Sequence, residues 1–154
     1  MIQITDLVDK ISQLEISGVR VRDMDQIPYT INSRDCPIML PEPLNFIQSI
    51  ELIIDSFGTP DIAKMTIKYQ LNYTFCFCPV GEGRELAEYG NMVKKVFAIL
   101  DVFIRYQNMS SNTDFDEVVD VAPVGVTEFG PVSSPDGGQF LGCKFQFMVT
   151  EFIN

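Results

Sequence analysis

The stretch KMTIKYQLNYTFCFC, residues 64–78, decides how the chain is read. Met65, Ile67, Tyr69, Leu71, Tyr73, Phe75 and Phe77 alternate without a break with Lys64, Thr66, Lys68, Gln70, Asn72, Thr74 and Cys76. Successive side chains of a strand point to opposite faces, so this period of two predicts one long β-strand with an apolar core face and a wet face. At the usual rise it spans about 45 Å, against about 20 Å for a common strand. Such a strand must twist, bulge or project beyond the core, and a projecting hairpin suits a subunit that reaches its neighbour.

On the N-terminal side, Phe46 to Phe57 is rich in Ile and Leu, and Gly58-Thr59-Pro60-Asp61 is turn punctuation, which predicts a strand and a hairpin-like turn. Ahead of it, the segment Ile27 to Pro43 carries Pro28, Pro37, Pro41 and Pro43. These deny backbone donors and restrict the preceding residues, so an extended, irregular arm is expected to lie across a surface, with Ile38, Met39 and Leu40 to bury. Val19-Arg20-Val21-Arg22 alternates as a half-buried strand does. Thr5 or Asp6 can cap a short helix near 5–15, with Leu7, Val8, Ile11 and Leu14 on one face and Gly18 as its stop.

On the C-terminal side, Pro79 ends the strand and Gly81-Glu82-Gly83 leads into a helix from Arg84 to Gln107. Leu86, Tyr89, Val93, Val96, Phe97, Leu100 and Ile104 form the stripe expected to face the core. Met92, Ile99, Val102 and Phe103 widen it beyond one face. The second side then needs a cover, either the N-terminal helix or a neighbouring subunit, which makes Met92, Ile99, Val102 and Phe103 candidate interface residues together with Ile38, Met39 and Leu40 of the arm. After a polar loop from Asn108 to Asp114, Phe115 to Phe129 is a strand in which Pro123 predicts an edge or a bulge. Gly130 to Gly138 is expected as a long mobile turn, and Leu141, Cys143, Phe145, Phe147 and Val149 share one face of a closing strand. The tetrapeptide Val-Thr-Glu-Phe at 126–129 and 149–152 is too short to mark a repeat. The expected fold is α+β: one domain of 154 residues with a mostly antiparallel twisted sheet, long hairpins, one long helix packed on it and a short N-terminal helix.

Composition narrows the function. The chain is 46% hydrophobic and carries a net charge of −10, with a mean hydropathy of +0.13, so apolar surface is expected to end up against partners. Eleven basic residues face 21 acids, which disfavours gripping phosphates, since that requires clustered Lys and Arg. No apolar run approaches the roughly 18 residues of a membrane span, and the first fifteen residues alternate acids with aliphatics, so neither a membrane span nor a secretory signal is expected. With no histidine, a Ser-His-Asp triad, a Cys-His pair and histidine-ligated metals are excluded.

Cys36, Cys76, Cys78 and Cys143 read as reduced, buried thiols, because no C-x-x-C spacing supports zinc. Gly81-Glu82-Gly83 opens like a dinucleotide fingerprint, but Leu86 stands in place of the third glycine and Glu82 repels phosphate. Asp114, Asp116, Glu117 and Asp120 lack the spacing of a calcium loop and read as a solvated, repulsive segment. Asn72-Tyr73-Thr74 and Asn108-Met109-Ser110 match glycosylation sequons, which mean nothing without a secretory route. No cofactor or metal is expected. An enzyme or small-ligand domain would have to build its pocket around Glu51, Tyr69, Tyr73 and Cys76, and Cys76 has no candidate base nearby in sequence.

Taken in order, the Asp6 to Leu14 helix, Ile27-Pro28, the arm Cys36-Pro37-Ile38-Met39-Leu40-Pro41, two long strands, the Arg84 to Gln107 helix and the closing strand from Phe140-Leu141-Gly142 to Glu151-Phe152 resemble the tail terminator (tail completion) proteins of long-tailed bacteriophages. The resemblance spans nearly the whole chain. It implies a hexameric ring, assembled in the host cytoplasm and carried in the virion, that caps the tail tube and offers a surface to the head's neck proteins. It implies no catalytic residue. Another head-tail connector or the tube subunit itself belongs to the same class. DNA would pass through such a ring without specific binding, and Glu82, Asp114, Asp116, Glu117 and Asp120 are candidate acids for an electronegative lumen.

Overall fold

Residues 63–79 do form one strand. The computed structural model describes residues 4–16, 18–42, 45–56, 63–81, 83–108 and 119–153, and within them β4 (Ala63–Pro79) is the axis of the sheet. Its N-terminal half pairs antiparallel with β3 (Ile47–Ser56), from Ser56↔Ala63 to Ile47↔Leu71. Its C-terminal half pairs antiparallel on the same edge with β2 (Ile38–Pro41), from Pro41↔Tyr73 to Ile38↔Cys76. Along the other edge runs β6 (Gln139–Ile153), antiparallel from Met65↔Ile153 to Pro79↔Phe140, and β6 in turn pairs antiparallel with β5 (Val119–Ser133). The two residues of β1 (Arg20–Val21) join β2 in parallel. The sheet order is β1-β2-β4-β6-β5, with β3 beside β4. The helix α1 (Ile4–Ser12) packs by β1, and α2 (Arg84–Asn108) lies over β5 and β6. This is the α+β architecture that the alternation predicts.

One face of the sheet carries the main core. Tyr69, Leu71, Tyr73 and Phe75 of β4 are buried with Cys143, Phe145, Phe147 and Val149 of β6, beneath Leu7, Val8 and Ile11 of α1 and Met92, Val96, Ile99 and Phe103 of α2. The rings interlock edge to face: Tyr73 meets Phe147 at 5.5 Å and 87°, and Phe46 meets Tyr73 at 5.5 Å and 81°. Such pairs contribute beyond the area they bury.

The opposite face is not wet at its centre, contrary to the expectation. Asn72, Thr74 and Cys76 are buried there. Part of the chain between Ile27 and Cys36 packs against Cys76, where Ile31, Ile38, Leu40, Cys76, Val132 and Phe140 form a second apolar cluster, while the Asn72 side chain donates to the Asn45 carbonyl at 2.8 Å. The proline-rich arm therefore does cross a surface, but residues 38–41 inside it are a ladder strand and not irregular chain. Pro41 is tolerated because it is the last residue of β2.

Two local expectations change. Gly18, at φ +72, is not the stop of α1, which ends at Ser12; it closes the tight turn in which the Val19 amide donates to the Ile16 carbonyl at 3.0 Å. The turn before β6 is shorter than Gly130 to Gly138, since β5 continues to Ser133. Ser134 and Asp136 brace what remains, with the Ser134 amide donating to the Gly138 carbonyl at 2.8 Å and the Gly138 amide to Asp136 Oδ1 at 3.1 Å. The hydroxyl of Ser134, which also donates to Asp136 Oδ1, and then the Gly138 amide hold the Asp136 carboxyl below its ordinary pKa. Pro123 lies on the edge strand β5 and at a bulge, between Pro123 and Gly125. The turn expected at Gly58 to Asp61 lies outside the described residues.

At Gly142 the ladder leaves no space for a side chain: a Cβ would stand 1.8 Å from the Phe75 carbonyl oxygen, next to the register shift between Cys76 and Cys78. Gly142→Ala must push β4 and β6 apart, and a loss of about 3 kcal/mol is expected in denaturant unfolding, the upper range for overpacking.

Candidate assembly surface

α2 carries two apolar stripes, each with helical spacing. Met92, Val96, Ile99 and Phe103 recur at i, i+4, i+7 and i+11 and are buried. Leu86, Tyr89, Val93, Phe97, Leu100 and Ile104 recur at i, i+3, i+7, i+11, i+14 and i+18 on the neighbouring side. There Leu86 is 93% exposed, Phe97 66% and Ile104 49%, while Val93 and Leu100 are half-buried at the border of the core. This reverses the expected division of the helix. Met92, Ile99 and Phe103, expected at a subunit interface, belong to the chain's own core, and Val102 is half-buried against it. Of the stripe expected to face the core, Leu86, Phe97 and Ile104 face outward, Val93 and Leu100 stand at the core's border and Val96 is buried. Both stripes satisfy the same periodicity, so the rotation of the helix about its axis chooses between them. The Phe103 ring, 4.5 Å from Phe147, fixes that rotation.

Ile38, Met39 and Leu40 are also corrected as interface residues. They are 0%, 0% and 1% exposed, because β2 is held between β1 and β4 and covered on both faces.

A second apolar surface lies on β3. Ile50, Leu52 and Ile54 sit across from Tyr69, Ile67 and Met65, which places them on the core side of the sheet. Yet they are 62%, 60% and 67% exposed, since neither helix reaches them. Burying an aliphatic side chain of this size contributes about 1.5–3 kcal/mol, so the chain leaves sizeable stabilisation unused here. On the strand's other face Gln70 Nε2 donates to Gln48 Oε1 at 2.7 Å.

A cleft of about 650 Å³ opens on the opposite side of the sheet between Leu40, Thr74, Phe129, Val132, Pro135 and Lys144. The Lys144 ammonium donates to Glu42 Oε1 at 2.8 Å and stands 3.1 Å from Glu128 Oε2. Glu128 takes a left-handed φ of +56 at the bulge between Thr127 and Gly130, which turns its carboxylate onto the lysine. These contacts, the Glu42 hydrogen bond first, raise the Lys144 pKa above its ordinary 10.5. A cation already matched by two carboxylates has little left to offer an anionic ligand.

The residues of an imagined ligand pocket do not converge. Tyr69 and Tyr73 are buried on the core face, Cys76 points to the opposite face, and Glu51 is exposed across from Lys68. Burial pushes Tyr69 up to about 12, with the negative Glu151 adding to it. Burial also pushes the Cys36 thiol to about 11 and the Cys76 and Cys143 thiols to about 12, which keeps them protonated and poor nucleophiles. Among the described residues, no group of three or more Cys, Asp or Glu side chains is placed to hold a metal ion. Of the candidate lumen acids, Glu82, Asp114, Asp116 and Glu117 lie outside the described residues, and Asp120 is described only as backbone in β5. Among the described residues, no helix is long and apolar enough to cross a membrane.

Compared with known proteins, the chain matches no family model, and no curated sequence is significantly similar to it.

Two outcomes follow from this surface. Phe97→Asp is expected to leave the thermal midpoint of the monomer within a few degrees of its original value, whereas Phe103→Asp places a charge in the core and should abolish cooperative unfolding. Lys144→Met is expected to lower stability at pH 7 by about 0.5–1 kcal/mol, the range for a partly exposed pair. Because the folded pKa of Lys144 is raised, its contribution is fully present below the unfolded value of 10.5 and is lost as pH rises through the folded value. Denaturant curves at pH 7 and above 11 should therefore show the gap between variant and parent closing.

Proposed function

We propose that this chain is a structural subunit of a bacteriophage virion, one of six in a ring that terminates the tail tube and joins it to the neck of the head. The observation that carries the reading is the pair of uncovered apolar surfaces, Ile50, Leu52 and Ile54 on β3 and Leu86, Phe97 and Ile104 on α2, beside a core that is already filled. A solitary protein leaves such contiguous patches open at a cost in solubility, whereas a closed ring covers them with its own copies. The order of elements, one long helix on a long-stranded antiparallel sheet, agrees with the resemblance in the sequence. The tube protein below and the neck proteins above are the further partners, and packaged DNA is the cargo that passes through.

The net charge of −10 supports the last point. A basic wall would hold each passing phosphate through counterion release, while an acidic one leaves no sticky sites. Light scattering of the purified chain, with negative-stain images, is expected to give a particle of six copies and a ring with a central opening. A monomer at every concentration, up to millimolar and at physiological salt, would overturn the proposal. Duplex DNA mixed with the ring at low salt should not be retained, and tight retention would remove the conduit.

A further inference from the structure

The row Leu40, Thr74, Lys144 and Thr127 crosses the outer face of the sheet, from β2 through β4 and β6 to β5. Over it lies the cleft of about 650 Å³, a size at which clefts take a ligand group, roughly 300–1,000 Å³. Between Thr127 and Gly130 the register of β5 against β6 shifts, and Glu128 and Phe129 leave the ladder to line the cleft. The lining divides by chemistry: Leu40, Phe129, Pro131, Val132 and Pro135 are apolar, whereas Glu42, Glu128 and Lys144 are charged.

Those charges do not cancel. Lys144 is the one cation that either carboxylate meets among the described residues, so the three groups leave one negative charge over. The Glu42 side chain is only 19% exposed. A carboxylate so sheltered, sharing its cation with another, gains more from a second positive group than one in open water does.

Glu128 adds backbone strain. A left-handed φ such as its +56 costs a non-glycine residue roughly 1–2 kcal/mol. Its contact with Lys144 is a partly exposed pair, which contributes about 0–1 kcal/mol and does not offset the strain in full. Glycine would take this φ freely, yet the position holds a carboxylate and turns it toward the cleft.

These features exclude most occupants. An anion would meet an ammonium already matched. A wholly apolar group would strip water from three charges and leave the surplus one unpaired. A bare metal ion would find two carboxylates joined through an ammonium, with no third Cys, Asp or Glu among the described residues to complete its shell. What fits is a cation on an apolar stem. Phe129 lines the cleft and is 43% exposed, so it offers a ring face. A guanidinium stacks on such a ring and pairs with a carboxylate through a fixed fork, which an ammonium does not.

We infer that the cleft receives an arginine side chain of a protein partner, its stem against Val132 and Pro135 and its guanidinium on Phe129 and paired with Glu128. The net charge of −10 favours the approach of a partner that carries basic residues. Such a contact goes beyond the ring and does not depend on it, since the cleft is lined by one chain and lies on the face away from α2.

Saturation-transfer NMR on the intact chain tests this, with capped amino acids and a capped peptide as probes. N-acetyl-arginine amide is expected to bind, its lysine counterpart to bind more weakly, and its norleucine counterpart not to bind. Glu128→Gln, at a side chain 60% exposed, should leave the thermal midpoint within a few degrees and weaken arginine binding by about tenfold or more, the loss of one charge-assisted pair. Phe129→Ala keeps every charge and should bring arginine down to the lysine level. A capped Leu-Arg-Leu peptide is expected to bind more tightly than N-acetyl-arginine amide, because its leucines add contacts to the apolar lining. No arginine binding to the parent up to millimolar concentration, undiminished binding to Glu128→Gln, or lysine or norleucine that matches arginine would each overturn the site. A peptide that binds no better than the amide would overturn the protein partner in favour of a free guanidinium compound.

Discussion

The long antiparallel ladder between β4 and β6 is the constraint on which the rest of the molecule depends. It runs from Met65↔Ile153 to Pro79↔Phe140 and aligns two alternating sequences, so that the apolar set of each strand falls on one side. A slip of one residue would turn every one of these side chains to the other face. With register held, Tyr73, Phe75, Phe145 and Phe147 become a single aromatic floor, to which α1 and α2 add their buried stripes. The close approach of Gly142 to the Phe75 carbonyl shows how tightly the two backbones are matched where the register shifts.

A strand as long as β4 needs more covering than one helix supplies. The chain meets this by dividing its free edge, giving the C-terminal half to β2 and the N-terminal half to β3. Around β2 both faces are covered, with Met39 in the main core and Ile38 and Leu40 in the second cluster. Around β3 the core-side face stays open. The molecule is thus finished at one end of its sheet and unfinished at the other, and that asymmetry generates the proposed assembly. The acidic excess fits the same picture, since apolar patches on a chain with a net charge of −10 are kept from indiscriminate association by mutual repulsion.

The two carboxylates matched to Lys144 in the outer-face cleft have a structural explanation. Glu42 follows β2, Glu128 sits at a bulge of β5, and Lys144 lies on β6, so one ammonium ties three separated segments across the outer face. With the second apolar cluster, it secures the proline-rich arm to the sheet. The buried Tyr73 hydroxyl has no hydrogen-bond partner among the described residues, a cost that the interlocked rings around it must outweigh.

By itself the sequence determined the period-two strands, their core faces, the span of α2 to within a residue, an edge or a bulge at Pro123, and the α+β class, because each depends on neighbours along the chain. The long strand of residues 64–78 and the closing strand with Phe145 and Phe147 needed nothing else. Only the tertiary structure decided which stripe of α2 is core, since both have helical spacing and a single ring contact, Phe103 on Phe147, sets the rotation. It also decided that Ile38 to Leu40 form an internal strand, and that Cys76 is covered, because its cover comes from Ile31 and Cys36, about forty positions earlier in the chain. The exposure of Ile50, Leu52 and Ile54 was hidden for the same reason: their alternation is that of any core strand. Period along the chain fixes which side chains share a face, and only the packing of distant elements fixes whether that face is covered.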